Sequence, residues 1–328
     1  MRDCERGIIC STNDLVHHVA SIKKKLVEEG KAAQEEADQM RFWYRGHACE
    51  AWNLLPKGLR SDLVPNPDAI PSMAHEFRAE GTAIHEAPPR HDDLRQWLFL
   101  MQHYGLPTLL LDWTRSPLIA LYFALKDKAE YQSKDGALWL LRPGVWNRFS
   151  YRWENSRPKR DKLFEAYSGA LQKHFRANFY PLDDSEKRMQ DRVLALEPVY
   201  NSPRMISQQS VFTIHGRMLQ PMEDWHKMED QVKEQCLWKF RIPSDKKAPM
   251  VKELHDLGVL QSALFPDLDH LSRCIMDRYG IALHGALVDE PESRVRAAPC
   301  EPEAPGVSDL TQLYERNNGE ATGSSLIG

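Results

Sequence analysis

The order of apolar patterns along this chain predicts an α+β fold, with a mixed or antiparallel core sheet and flanking helices. Short apolar runs bounded by turn residues, such as residues 136–141 and 210–215, indicate buried strands. Between such runs, apolar residues recur at helical spacing, as they do over residues 92–102. Strand and helix signals therefore alternate without the regular order of a parallel α/β protein.

The first part of the chain is predicted to be a helical extension over residues 1–40. Residues 11–14 are Ser, Thr, Asn and Asp, which are typical N-cap residues. Apolar residues then recur at helical spacing as far as Leu26. Residues 28–39 are nearly all polar, which indicates a solvent-facing connection.

The main domain is predicted to cover residues 41–287. It begins with a short aromatic strand at 41–45 that ends at Gly46, and the prolines of residues 53–67 then indicate a loop. Helices are predicted at 72–86 and 92–102, a buried strand at 109–111, and a helix that starts at Pro117 with Ser116 as its N-cap. A core strand follows at 136–141.

The later half carries the same mixture of signals. Strands are predicted at 193–196, 210–215 and 236–242, and helices at 224–235 and 249–257. Residues 265–267 indicate a turn into a last helix, where Asp267 favours the positive helix end. From residue 288 to residue 328, proline, glycine, serine and acidic residues dominate, which predicts a disordered tail.

Composition excludes several classes of protein. The net charge of −4 gives no overall attraction to nucleic acid or anionic lipid, and no apolar run approaches the roughly 20 residues that a membrane helix needs. The first residues are polar and lack an apolar stretch, and the six cysteines contain no C-x-x-C pair, so no secretion signal, metal site or disulfide framework is expected. We expect a cytoplasmic protein with no membrane partner.

A local basic segment, residues 151–176, mixes arginine, lysine and histidine with five aromatic residues. Cations interleaved with aromatic rings can follow a phosphate backbone and stack bases. Acidic residues are interspersed, so the same pattern fits a solvated helix whose aromatic residues face the core. Both interpretations remain open.

Three segments place polar, reactive side chains in strongly apolar surroundings. They contain Arg45 in Phe-Trp-Tyr-Arg-Gly-His, His103 and Asp112 in the stretch 102–117, and Gln209 before an apolar strand. Burying such groups is costly unless they are paired, so the pattern indicates a functional site or a structural polar network. The structural alternatives are a buried ion pair between Arg45 and Asp112 and a histidine that donates to a backbone carbonyl.

These residues resemble the FRG domain family, which is named after a (Phe/Tyr)-Arg-Gly motif. The resemblance covers most of residues 41–275 and depends on several motifs in the same order. One departure is Leu109, where the family commonly has arginine. The motifs are Tyr-Arg-Gly-His at 44–47, Gln-His-Tyr-Gly-Leu-Pro-Thr at 102–108, Leu-Asp-Trp-Thr at 111–114, Ala-Leu-Tyr-Phe-Ala at 120–124, the strand 209–213, and Phe-Pro-Asp-Leu-Asp at 265–269.

The motif order is also similar to the ADP-ribosyltransferase superfamily, and this resemblance implies that NAD is the substrate. Arg45 would then bind NAD through phosphate or ribose, with Thr114 and Ser116 supporting the nicotinamide ribose. Gln209 matches the late-strand Glu or Gln at the anomeric carbon. An amide lacks the negative charge that would help there, so Asp112 or Glu197 would supply it, or His103 would act as base. The NAD-binding set implied in this way is Arg45, Gly46, His47, Tyr104, Trp113, Thr114, Ser116 and Phe212, in which Tyr104 and Trp113 would stack the nicotinamide ring.

The hypothesis from the sequence is therefore NAD-dependent ADP-ribosyl transfer to an unknown protein or nucleic-acid acceptor, or NAD hydrolysis. Arg45, His103, Asp112 and Gln209 are the predicted catalytic residues, and the context suggested by analogy is a toxin or antiviral defence effector with a possible inhibitory partner protein. The alternative is a non-catalytic module that binds a nucleotide or nucleic acid. Sequence signatures of P-loop ATPases, Rossmann dehydrogenases, α/β-hydrolases and zinc proteases are missing from the chain.

Overall fold

One mixed sheet of eight strands forms the framework of this computed structural model, which describes residues 5–34, 40–66, 68–125, 129–150, 163–180, 192–216, 219–225 and 230–280. The strand order is β1-β8-β4-β2-β3-β7-β6-β5. The outermost pairs at both edges are parallel and the remaining pairs are antiparallel, so the predicted α+β class is confirmed. The strands are β1 (Glu5–Ile8), β2 (Trp43–His47), β3 (Leu110–Thr114), β4 (Gly136–Leu141), β5 (Phe164–Glu165), β6 (Val193–Glu197), β7 (Ser210–His215) and β8 (Leu237–Ile242).

Helices cover both faces of this sheet, and several of them are short. The predicted N-caps are confirmed at Ser11, whose hydroxyl accepts from Asp14 N–H, and at Ser116. The helices are α1 (Thr12–Glu28), α2 (Ala69–Ile84), α3 (Leu94–His103), α4 (Pro117–Leu125), α5 (Pro143–Ser150), α6 (Gln172–Arg176), α7 (Pro203–Ser207), α8 (Asp230–Lys233), α9 (Ser244–Asp256), α10 (Gln261–Leu264) and α11 (Leu268–Arg278). No helix in this part of the chain is long and apolar enough to cross a membrane.

The two faces of the sheet carry different side chains. One face, here called the tryptophan face, packs Trp43, Trp113 and Trp139 together with Trp146 of α5. On the opposite face, Tyr44 of β2 packs with α1, α4 and α9. On the same face, α3 and α6 pack with β3, β7, β6 and β5. Because side chains alternate along a strand, the register of each strand decides which face receives a given residue.

Gly46 is where α4 packs most closely on the sheet. A Cβ atom at this position would lie 1.9 Å from the Ala120 carbonyl oxygen and 2.6 Å from the Ala124 amide nitrogen. Strand β2 therefore runs through Gly46 to His47, whereas the sequence predicted that it ends at the glycine. The glycine is required for close approach of a helix, not for ending the strand.

The N-terminal segment belongs to the same sheet and core. Strand β1, which the sequence did not predict, pairs with β8, and α1 buries Leu15, Ile22 and Leu26 in the cluster that holds Phe240. The proposed domain boundaries at residues 40 and 287 stay predictions. The predicted tail at 288–328 lies outside the described residues.

Two predicted helices in the later half of the chain differ from the structure in extent. Within residues 224–235 the described helix is α8, and residues 226–229 lie outside the described residues. A 3-10 turn at Met222–Asp224 precedes them. Helix α9 starts at Ser244 and contains Pro249, which the sequence placed at the helix start. Pro249 lacks an N–H, so the helix loses one backbone hydrogen bond at this exposed position and still forms.

Candidate functional site

Arg45 lies on the tryptophan face between β2 and β3, and its side chain joins both strands. Its Nε donates to His47 Nε2 at 2.9 Å, and its Nη1 donates to the Asp112 carbonyl oxygen at 2.6 Å. These two strands, both described throughout, pair in the ladder at Tyr44 and Thr114 alone. The guanidinium therefore takes the place of a ladder hydrogen bond at the point where the strands diverge.

His47, which accepts a hydrogen bond from this arginine, is held in one protonation state. Its Nε2 accepts from Arg45, so its Nδ1 carries the proton and donates to the Trp52 carbonyl oxygen at 3.1 Å. Burial, followed by the nearby charges of Arg45, Arg60 and Lys239, holds the pKa of His47 well below its usual range. The imidazole is neutral, so it orients Arg45 without cancelling its charge.

A second cation lies in register with Arg45 on the same face. Arg45 pairs with Trp139 across β2 and β4, and Trp139 pairs with Lys239 across β4 and β8. Lys239 Nζ lies 5.4 Å from the centre of the Trp139 ring. Two strand spacings separate the Arg45 and Lys239 backbones by roughly 10 Å, so an anion between them would interact with both charges.

Glu223 supplies an acidic group on this face that the sequence analysis missed. Both of its carboxyl oxygens lie 3.1 Å from the Leu54 amide nitrogen. Burial raises the pKa of Glu223 to about 7, helped by Asp224 and opposed by the Leu54 N–H and by Lys239. The only sequence signal was the apolar pair Met222 and Trp225 around it, both of which pack on the tryptophan face.

The remaining polar groups of this face form a buried chain at its far end. Trp113 Nε1 donates to Thr213 Oγ1 at 3.1 Å, and Thr213 Oγ1 lies 3.1 Å from His215 Nε2. Burial lowers the pKa of His215 to about 3 and that of His174 to about 4, and Arg45 and His174 lower the pKa of His215 further. These histidines are neutral at physiological pH.

Asp112 points to the opposite face of the sheet, where its side chain is exposed. Its Oδ2 accepts from Gln102 Nε2 at 2.7 Å, and Gln102 Oε1 accepts from Thr108 Oγ1 at 2.5 Å. Arg45 reaches Asp112 through the backbone carbonyl. The two residues therefore do not form the buried ion pair that was one structural expectation.

His103 and Tyr104 end α3, which packs on the opposite face. His103 is half-buried, and burial and Arg204 lower its pKa while Asp267 raises it. Tyr104 is 54% exposed and lies near the rings of Phe77 and His103. The packing of α3 thus places both on the other side of the sheet from the Arg45 side chain.

Gln209 lies in the turn between α7 and β7, where its side chain is exposed. Its φ of 49° is left-handed, its N–H donates to the Ile206 carbonyl oxygen, and its own carbonyl accepts from Arg115 N–H. Nearby, Arg115 Nη2 donates to Glu197 Oε1 at 2.6 Å. The carboxylate that was expected to compensate for an amide at position 209 is therefore paired with Arg115.

The other predicted binding residues have packing or capping contacts. Trp113 is 3% exposed in the tryptophan-face core, and Phe212 is buried against Phe99 on the opposite face, so neither ring offers an open surface for stacking. Thr114 Oγ1 donates to the Gln208 carbonyl oxygen and accepts from Ser116 N–H. Thr114 and Ser116 thus fix the turn into α4.

The predicted site residues therefore form two groups instead of one. Arg45, His47 and Trp113 share the tryptophan face, whereas Asp112, His103 and Tyr104 belong to the opposite side. The hydrogen bond from Arg45 to the Asp112 backbone links the two groups. Over the ranges that the structure describes, no three His, Cys, Asp or Glu residues are grouped so that they could hold a metal ion.

Comparisons with known proteins agree with the motif that surrounds Arg45. The family model described as the FRG domain matches residues 40–133, an interval that contains β2, α3, β3 and α4. Neither the curated proteins nor the solved structures give a match. Residues 40–133 are therefore similar to the FRG domain, and the match ends before β4.

Proposed function

We propose that the tryptophan face binds NAD and that the protein transfers the ADP-ribosyl group to an acceptor or to water. The observation that carries this proposal is the fixed Arg45 guanidinium, held by neutral His47 and a carbonyl, in register with Lys239. A polyanionic ligand would stabilise both cations.

A diphosphate fits this arrangement because of the shape of the two cations. Arginine presents a rigid fork of donors that matches phosphate oxygens, and lysine adds a mobile point charge. In this proposal Arg45 is the anion-binding residue and His47 a positioning residue that sets the direction of the fork. The similarity to ADP-ribosyltransferases in motif order supports NAD as the diphosphate.

The reaction breaks the bond between the nicotinamide nitrogen and C1′ of its ribose. Nicotinamide leaves with the bonding electron pair as a neutral molecule, and positive charge develops on the ribose. Water or an unknown protein or nucleic-acid acceptor then attacks C1′. A cytoplasmic toxin or antiviral defence protein, with an inhibitory partner, is the biological setting that the analogy proposes.

A non-catalytic nucleotide-binding module is the second candidate, favoured by one specific observation. The late-strand position carries the uncharged Gln209, and the adjacent Glu197 is paired with Arg115. A site without an available carboxylate there would bind a nucleotide without cleaving it. Of the basic segment 151–176, residues 151–162 lie outside the described residues, and β5 and α6 contribute Phe164 and Phe175 to the core of the opposite face.

Incubation with NAD labelled in its adenylate part separates the two candidates. Nicotinamide release and transfer of label into cell lysate are followed for the wild type, Arg45→Ala and Gln209→Ala, each shown to be folded by circular dichroism. The proposal predicts release or transfer that Arg45→Ala abolishes. If NAD stays intact with the wild type and lysate, the proposal that the protein cleaves NAD is wrong. Retained nucleotide binding would then support the second candidate.

A further inference from the structure

Glu223 places a carboxyl group on the tryptophan face, where it accepts a hydrogen bond from the Leu54 N–H. We propose that Glu223 is the general base of the site, which removes the proton from the attacking acceptor or water. This assignment rests on the proposed function. It gives the reaction the carboxylate that position 209 lacks.

The backbone connects Glu223 directly to the residues that hold Arg45. The Trp52 carbonyl accepts from His47, and two residues later the Leu54 amide donates to Glu223. Two residues reach about 7 Å, so the carboxyl lies no more than about 13 Å from the His47 ring. A dinucleotide held at its diphosphate by Arg45 can extend a ribose across such a distance.

The surroundings of Glu223 contain polar groups that the fold leaves without partners. The indole nitrogens of Trp139 and Trp225 are buried and make no hydrogen bond within the described part of the chain. Trp139 stands between Arg45 and Lys239 in the strand register, and Trp225 follows Glu223 in the same turn. A ligand with acceptor atoms on this face would satisfy these two donors.

The protonation behaviour of Glu223 suits a base that works near neutral pH. Its pKa of about 7 means that a substantial fraction of the carboxyl is ionised at pH 7 and can accept a proton. Lys239 favours the ionised form, while burial and Asp224 oppose it. The same lysine also acts on His47, so it lies within electrostatic range of both ends of the site.

Other titratable groups near the site fit this role less well. His47 uses both ring nitrogens in hydrogen bonds, and the pKa values of His174 and His215, about 4 and about 3, are too low for efficient proton acceptance. Asp112 lies on the opposite face. Glu197 is paired with Arg115.

The proposed step is balanced in atoms and charge. The bond from C1′ to the nicotinamide nitrogen breaks, and the acceptor oxygen or nitrogen then forms a bond to C1′. The bonding electrons leave with neutral nicotinamide, and the acceptor proton moves to the Glu223 carboxylate. That proton returns to solvent when the product leaves.

The test compares steady-state NAD cleavage by the wild type, Glu223→Gln and the control Glu76→Gln, which changes an exposed glutamate on α2. We expect Glu223→Gln to lower kcat by about 10²- to 10⁴-fold, the usual effect of losing a general base. The KM for NAD should change little, because Arg45 still binds the diphosphate. The wild-type rate should fall as the pH drops below about 7, and this limb should disappear from the residual activity of Glu223→Gln.

The possible outcomes distinguish a wrong role for Glu223 from a wrong proposed function. Cleavage by the wild type with an unchanged kcat in Glu223→Gln would overturn the role of Glu223 and leave the function standing. No cleavage by the wild type would overturn both. If Glu223→Gln does not fold, Glu223→Asp keeps the carboxylate and should cleave NAD more slowly with the acidic limb intact, and a profile without that limb would contradict the proposal.

Discussion

Replacing Gly46 by alanine should destabilise the protein more than an ordinary glycine substitution. The added Cβ would lie 1.9 Å from the Ala120 carbonyl oxygen, and a normal contact requires α4 to move away from β2 by more than about 1 Å. Both neighbouring atoms belong to the backbone, so no side chain can rotate to make room. Overpacking of this kind, together with the gap that the displaced helix leaves, should lower the free energy of unfolding by about 3 kcal/mol or more.

Urea denaturation followed by circular dichroism measures this loss, and Gly169→Ala is the matched control. No atom lies within 4 Å of a Cβ at Gly169, and the residue is exposed in a short turn. The control should change the free energy of unfolding by less than about 1 kcal/mol. The packing explanation of the glycine would be refuted if the two variants unfolded at the same urea concentration.

Three further predictions concern ionisable groups inside the fold; the first two are measured by unfolding as a function of pH and the third by urea denaturation. The fold raises the pKa of Glu223 from 4.5 to about 7, so this group contributes stability that is complete below pH 4.5 and lost as the pH rises through 7. The stability of Glu223→Gln relative to wild type should therefore rise by roughly 3 kcal/mol between pH 4 and pH 8, and a flat difference would contradict the assignment. The fold lowers the pKa of His174 from 6.5 to about 4, so its contribution is complete above pH 6.5 and lost on acidification. In His174→Leu, the free energy of unfolding should fall on acidification by up to roughly 3 kcal/mol less than in the wild type. An equal fall in both proteins would contradict the role of His174. Lys247→Met should lower the free energy of unfolding by about 2 kcal/mol or more, because the buried Lys247 Nζ donates to the Ala48 and Tyr131 carbonyl oxygens, and an unchanged urea midpoint would exclude this role.

Most of the fold could be predicted because its strands and helices have distinct apolar patterns. Residues 136–141 are a nearly continuous apolar run, and residues 210–215 hold Val211, Phe212 and Ile214; these segments form β4 and β7 with the predicted bounds. Strand β1 was missed because Glu5–Ile8 is short, partly charged and has no apolar period. Its place in the sheet depends on pairing with β8, a long-range contact that local sequence does not reveal.

The candidate site could be predicted only in part. Arg45 and His47 stood out because polar side chains occur there among aromatic residues, and the structure brings these two together. The contact between Arg45 and Asp112 uses a backbone carbonyl, which every residue has, so the sequence suggested a carboxylate contact instead. Strand alternation then sends the Asp112 side chain to the other face.

Gln209 and Glu223 show two further limits of sequence interpretation. Gln209 was selected because a glutamine before an apolar strand had no structural explanation, yet its left-handed backbone forms the turn into β7. Glu223 lies in a polar stretch that looks like an ordinary loop. Its burial results from the packing of Met222 and Trp225 on the sheet, which is a tertiary effect.

Arg45 is the proposed diphosphate-binding group, and calorimetric titration with ADP-ribose tests this role directly. The wild type is compared with Arg45→Lys and with Arg90→Lys, which changes an exposed arginine paired with Asp92. We predict that ADP-ribose binds the wild type and Arg90→Lys equally, and that Arg45→Lys binds at least about tenfold more weakly because the bidentate fork is lost. Equal affinity of Arg45→Lys and wild type, or no binding by the wild type, would contradict the assignment of the tryptophan face as a dinucleotide site.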